Sequence, residues 1–181
     1  TFGVSLGYGK RLSWPDDYFS FYSELSYQLY MMKDWPYMIL TDGNSHNLAL
    51  NFRLMRSSID NPIYTRRGSQ FTLGLKITPP YSLIKGTTDA QYAQMSATEK
   101  YNLLEYHKWS FSGKVFTPLT ADSKLVLMAR ADFGYLGHYN KNVKSPFESF
   151  YMGGDGMSSY SSYSTEYISM RGYQSGSLTP Y

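Results

Sequence analysis

The chain contains stretches in which apolar and polar residues alternate one by one. The clearest stretch runs from Gln70 to Thr78, and its apolar positions are Phe71, Leu73, Leu75 and Ile77. Because successive side chains of an extended chain point to opposite faces, this period of two predicts a β-strand with one apolar and one polar face. The same alternation recurs in residues 2–9, 19–29, 45–54, 108–117 and 124–134. A tilted strand crosses a bilayer with about 9–11 residues, a length that these runs approach or reach.

The alternation favours an all-β fold that forms part of a transmembrane antiparallel β-barrel. In such a barrel one face of each strand contacts lipid and the other faces a wet lumen, so a mean hydropathy of -0.41 is compatible with membrane insertion. The aromatic content of 18%, with 19 Tyr, is typical of the girdles at the two interfaces of a barrel. The residues predicted to face lipid are Phe71, Leu73, Leu75, Ile77, Leu48, Leu50 and Phe52.

A soluble β-sandwich is the alternative fold, because its strands also alternate and also favour tyrosine. Strands of soluble proteins average about 5–6 residues, which is roughly half the length of the runs in this sequence. The length of the runs therefore favours the barrel.

Connections of different length separate the predicted strands. Residues 13–16 and 120–122 make tight turns and 58–68 a moderate one, whereas 33–45, 79–107 and everything after Tyr139 are long. Barrels of the bacterial outer membrane have short periplasmic turns and longer extracellular loops, so the long connections are predicted to lie outside the cell. The 79–107 segment is interpreted as an exposed loop, with enough helix formers between Asp89 and Leu104 for a short surface helix.

The sequence predicts no catalytic, cofactor or metal site. It contains no cysteine, and its three histidines, His46, His107 and His138, lack the spacing of metal ligands. The net charge of +3 is small, and several cations lie on polar faces of the predicted strands, which indicates a mildly cationic lumen wall and no nucleic-acid patch. The cations on these polar faces are Arg53, Lys76, Lys114, Lys124 and Arg130, and they are interpreted as solvated. Since no catalytic motif is present either, an enzyme is not expected.

Three segments resemble motifs of the BamA-type barrels, a family that folds and inserts β-barrel proteins into the outer membrane. The Ile59–Ser69 segment is similar to a turn of that family, and Phe147–Gly154 with Met170–Gln174 is similar to its sixth extracellular loop. The resemblance implies that residues 1–181 form about six strands of a barrel of about sixteen, in a piece of a longer protein. Residues 139–181 would then form a long extracellular loop, folded into the lumen. Its motif residues are Met170, Arg171, Gly172, Tyr173, Gly153 and Gly154.

The same resemblance implies function, partners and location. It implies an assembly factor of the bacterial outer membrane that contacts membrane lipid, nascent outer-membrane proteins and accessory lipoproteins of an assembly complex, and that uses no cofactor. Arg171 would meet an acidic residue on a later strand outside this sequence. The alternative is a two-partner-secretion pore, which has a similar loop in the same superfamily. The sequence departs from the family pattern by a Ser/Tyr-rich insertion at 155–169 and by a longer 79–107 segment.

Overall fold

The structure, a computed structural model, describes residues 1–34, 42–154 and 165–178. Six strands form one sheet in chain order, and each strand pairs antiparallel with the next. The strands are β1 (Phe2–Arg11), β2 (Phe19–Met32), β3 (Gly43–Ser57), β4 (Gly68–Ile77), β5 (His107–Pro118) and β6 (Val126–Gly137). The sheet confirms the predicted all-β fold, and each strand overlaps one of the alternating runs.

The register separates apolar from polar side chains in the middle of the sheet. On one face, Leu73 of β4 pairs with Leu54 of β3 and with Phe111 of β5. On the other face, the neighbouring Gly74 pairs with Arg53 and Ser110. Because a slip of one residue would exchange the two faces, the alternation itself fixes this register.

The apolar face is uncovered in the described part of the chain. Leu50, Leu73 and Phe111 are 42%, 40% and 37% exposed although each lies within a paired strand. The other residues predicted to face lipid, Leu48, Phe52, Phe71, Leu75 and Ile77, lie on this same face and are half-buried. A continuous exposed apolar surface of this kind marks contact with a membrane or another protein rather than with water.

At one end of the sheet, the connections 12–18, 58–67 and 119–125 are short; we call it the short-turn end. Arg56 links the first two of these turns. Its Nε and Nη2 donate to Asp16 Oδ2 at 3.0 and 2.8 Å, and its Nη1 donates to Ser58 Oγ at 3.0 Å and Ser69 Oγ at 3.2 Å. The guanidinium also lies 5.6 Å from the ring centroid of Tyr18. A planar group with five donors suits such a junction of turns.

Hydrogen bonds to the Asp60 carboxylate hold the backbone of the 58–67 turn together. Asp60 Oδ1 accepts from the backbone N–H groups of Asn61, Arg66 and Arg67 at 2.9, 3.1 and 3.3 Å. Desolvation raises the pKa of Asp60, but these three hydrogen bonds outweigh it and hold the pKa below its ordinary value. Gly68 then enters β4 with a φ of 109°, a conformation that other residues rarely adopt.

At the opposite, long-loop end, the 78–106 segment folds back over the polar face of the sheet. The expectation of a simple exposed loop was wrong, because Tyr92, Tyr101, Leu104, Glu105 and Tyr106 are all at least 92% buried. In place of one helix over 89–104, the segment contains three short ones, α1 (Tyr81–Lys85), α2 (Asp89–Gln94) and α3 (Ala97–Lys100).

Local capping explains the division of this segment. Met95 is extended, with φ -71° and ψ 141°, and therefore ends α2. Ser96 then begins α3, since its Oγ accepts from the Glu99 N–H and the Glu99 carboxylate accepts from the Ser96 N–H. Among the described residues, no helix has the length and apolar character needed to cross a membrane.

After β6 the chain forms a second, two-stranded sheet. Its strands, β7 (Ser149–Met152) and β8 (Thr165–Ile168), pair in parallel. The first of them continues directly into the predicted loop motif.

Candidate functional site

The structure brings the two halves of the predicted loop motif together. Met170 N donates to Gly154 O at 2.8 Å, and Gly154 N donates to Tyr173 O at 2.9 Å. Gly153 N donates to Ile168 O at 3.1 Å. The Gly-Gly pair and the Met-Arg-Gly-Tyr segment are therefore one folded unit, although 15 residues separate Gly154 from Met170 along the chain.

Glycine is required at the centre of this unit for two reasons. Gly153 and Gly154 have φ values of 116° and 82°, which L side chains rarely adopt. A Cβ on Gly153 would also collide with the backbone oxygen of Gln174. Gly172 has a φ of 89°, but a Cβ there would have no neighbour within 4 Å.

This difference gives a matched pair of substitutions. Both Gly153→Ala and Gly172→Ala place a Cβ in a strained backbone conformation, at a cost of about 1–3 kcal/mol each. Only Gly153→Ala adds a clash with backbone, so we expect it to disturb the loop more than Gly172→Ala does. Limited proteolysis of the loop in the full-length barrel measures this. Equal cleavage of the two variants would contradict the close packing of Gly153 against Gln174.

Arg171 is exposed at the tip of this unit. The described ranges 1–34, 42–154 and 165–178 contain no hydrogen bond or ion pair of its guanidinium. Its neighbours Met170 and Tyr173 are also open, at 41% and 53% exposure. One cationic, one apolar and one aromatic side chain thus project from a closed backbone unit without a partner surface in this part of the chain. An acidic partner for Arg171 stays a prediction.

The segment Phe147–Phe150, which we call the loop stem, is in contrast bound to the polar face of the sheet. The Glu148 side chain is 1% exposed, and each of its oxygens accepts from a lysine. Lys76 Nζ of β4 lies 2.7 Å from Glu148 Oε1, and Lys108 Nζ of β5 lies 3.1 Å from Oε2. We call Glu148, Lys76, Lys108, Tyr106 and Asn47 the Glu148 cluster.

Tyr106 and Asn47 complete this cluster from the 78–106 segment and β3. The Tyr106 hydroxyl donates to Glu148 Oε1 at 2.9 Å and accepts from Asn47 Nδ2 at 3.1 Å. Burial, and after it the neighbouring Glu148 carboxylate, raises the pKa of Tyr106 far above its ordinary value, so the phenol keeps the proton that it donates. Charge-assisted hydrogen bonds of this kind are the strong ones in a protein interior.

The two phenylalanines that flank Glu148 in the sequence, Phe147 and Phe150, also contact residues of the sheet. The Phe147 ring stacks on Tyr30 of β2 with centroids 4.4 Å apart, in a small core with Leu104 and Tyr106. Lys108 Nζ lies 4.6 Å from the ring centroid of Phe150. Burial of these rings and of the ion pairs holds the loop stem on β2, β4 and β5.

The Glu148 cluster borders a groove in the polar face of the sheet, because Lys76, Lys108 and Glu148 are among the residues that line it. The groove of about 280 Å³ is lined by charged and polar side chains, among them Glu24, Arg53, Lys76 and Ser110. The interpretation of the cations as simply solvated was wrong for Lys76 and Arg130, because Lys76 pairs with Glu148 and Arg130 pairs with Asp132. A cationic lumen wall stays a prediction.

Sequence reasoning placed Glu148 inside a motif without giving it a role. The signal that could have found it is a lone acidic residue between two phenylalanines in a loop, opposite lysines on polar strand faces. Since Glu148 lies 72 and 40 residues from its two lysines, no local pattern connects them.

The comparisons with known proteins agree with this architecture. A family model described as an Omp85 superfamily domain matches residues 1–181. The chain belongs to the Omp85 superfamily. Among solved structures, the Omp85 domain is similar to the crystal structure of BamA from Haemophilus ducreyi lacking POTRA domains 1–3. The TM-score is 0.65 at 17% sequence identity, over 98% of this chain and 30% of that one.

The search of curated proteins gave no match. The Omp85 domain spans 30% of the BamA chain to which it is similar. The family and the fold confirm the predicted location in the bacterial outer membrane and the transmembrane barrel class.

Proposed function

We propose that this Omp85 domain is part of an assembly factor that folds and inserts β-barrel proteins into the outer membrane. The observation that carries the proposal is the packing of the loop stem on the polar face of the sheet through Glu148 and Phe147. In a closed barrel that face is the lumen wall, so the described parts of the 139–181 loop, 139–154 and 165–178, fold inward in this proposal. The rest of the predicted loop, 155–164 and 179–181, lies outside the described residues. The glycine-closed tip then presents Arg171 towards strands outside this chain.

The apolar face of the sheet contacts lipid in this proposal. Phe71, Leu73, Leu75 and Ile77 of β4 form one apolar row, and Leu48, Leu50 and Phe52 of β3 form the next. Cargo strands with unpaired edges would add to a barrel seam by β-augmentation, and that seam lies outside this chain. The partners are nascent outer-membrane proteins and the accessory lipoproteins of an assembly complex. The process requires backbone pairing and no cofactor or catalytic residue.

Depletion of the cell's own assembly factor tests this proposal. We expect the full-length protein that contains this chain to restore the levels of several unrelated outer-membrane barrels when its native counterpart is depleted. The measurement is the heat-modifiable, folded fraction of those barrels in isolated membranes. If the barrels stay unfolded while one specific exported protein requires the full-length protein for its appearance in the medium, the two-partner-secretion pore is the correct function.

A further inference from the structure

Lys76 and Lys108 are direct cross-strand partners on the polar face of β4 and β5. Like charges directly opposite each other in an antiparallel pair are destabilising, all the more when one of the side chains is buried. The Lys108 side chain is 4% exposed and that of Lys76 is 23% exposed. The sheet therefore contains a repulsive pair that needs an anion.

A neutral hydrogen-bond donor, the Tyr106 hydroxyl, is also oriented towards the space between the two lysines. Tyr106 N donates to Thr78 Oγ1 at 2.7 Å, and Thr78 N donates to Tyr106 O at 3.1 Å. Asn47 of β3 donates to the Tyr106 hydroxyl. None of these hydrogen bonds involves the 139–181 loop, so hydrogen bonds within the strands and the 78–106 segment orient the donor.

We propose that Lys76, Lys108 and Tyr106 form a preorganised carboxylate-binding site in the barrel wall, and that Glu148 is its resident ligand. Glu148 is then a positioning residue for the loop. One carboxylate oxygen bridges Lys76 and Tyr106, and the other binds Lys108. The site recognises a single carboxylate, whose two oxygens match two ammonium groups. The inference rests on the proposed function only in placing this face inside the barrel.

Chemical rescue tests the site in the full-length protein in detergent or lipid. The chain has no cysteine, so Ser149→Cys, next to Glu148 in β7, introduces a thiol where this region has none. We expect slow maleimide labelling of Ser149→Cys alone and severalfold faster labelling after Glu148→Ala. Sodium acetate should slow the labelling of the Glu148→Ala variant again, while sodium chloride of equal ionic strength should not. Labelling needs no cargo, so a failure of the proposed function would not affect this result.

Two variants separate a carboxylate site from general packing. Glu148→Gln keeps the volume and loses the charge, so its labelling should be fast and insensitive to acetate. Lys76→Gln with Lys108→Gln in the Glu148→Ala background should abolish the acetate effect. An unchanged labelling rate in Glu148→Gln would overturn the proposal, as would an acetate effect that survives loss of both lysines. If Glu148→Ala does not accumulate in membranes, the Glu148→Gln comparison decides alone.

Discussion

Arg171→Ala should strongly reduce assembly of outer-membrane barrels by the full-length protein, and Arg171→Lys should reduce it less. The guanidinium projects from a backbone unit that Gly153 and Gly154 close, and it finds no partner within the described residues of this chain. A bidentate contact with a carboxylate on another strand would use both its charge and its fork geometry, of which lysine keeps only the charge. Complementation in cells depleted of the native factor measures the effect.

The surface level and heat-modifiability of the mutant barrel should be recorded in the same cells. They separate loss of loop placement from loss of the barrel itself. Tyr173→Phe is a matched control, since it changes an exposed neighbour of the same unit without removing a charge. Normal assembly by Arg171→Ala, with normal mobility of its barrel, would show that the tip is an ordinary exposed loop.

Leu73→Arg should destabilise the full-length barrel by about 2–4 kcal/mol if the side chain lies near the bilayer midplane. Leu73 lies in mid-strand on the uncovered apolar face, between Leu54 and Phe111 of the neighbouring strands. A cation at this position must be taken into hydrocarbon or must bend towards the interface. Denaturant unfolding of the barrel from phospholipid vesicles gives the free energy.

Thr72→Arg is the matched control for this prediction, because the adjacent residue points to the polar face, where it pairs with Met55 and Ser112. It should cost clearly less than Leu73→Arg. A larger loss of stability for Thr72→Arg than for Leu73→Arg would mean that the two faces of the sheet have been assigned the wrong way round.

The strands were predictable from sequence because the alternation that defines each strand lies within a short run of neighbouring residues. A period of two is present in each run, and the same period fixes which residues meet across the sheet, as in the Leu54, Leu73 and Phe111 row. The resemblance to the BamA-type barrels, and not periodicity, pointed to the loop motif. Its two halves meet through backbone hydrogen bonds that alternation does not encode.

The parts that sequence reasoning missed depend on contacts between distant residues. Tyr106 is buried because it reaches Asn47, 59 residues earlier, and Leu104 because it packs with Phe147 far later in the chain. Neither residue lies in a run with a recognisable period, so the 78–106 segment looked like an exposed loop. Glu148 was hidden for the same reason, since a carboxylate in a loop is usually solvated unless the fold supplies cations.

The parallel pairing of β7 and β8 gives a physical reason for the length of the Ser/Tyr-rich insertion, whose first part separates the two strands. Parallel strands cannot be joined by a tight hairpin, and a crossover needs about a dozen residues or more. β7 ends at Met152 and β8 begins at Thr165, so the inserted length meets that requirement. The parallel pairing therefore sets a minimum length for the chain between Met152 and Thr165, whatever its composition.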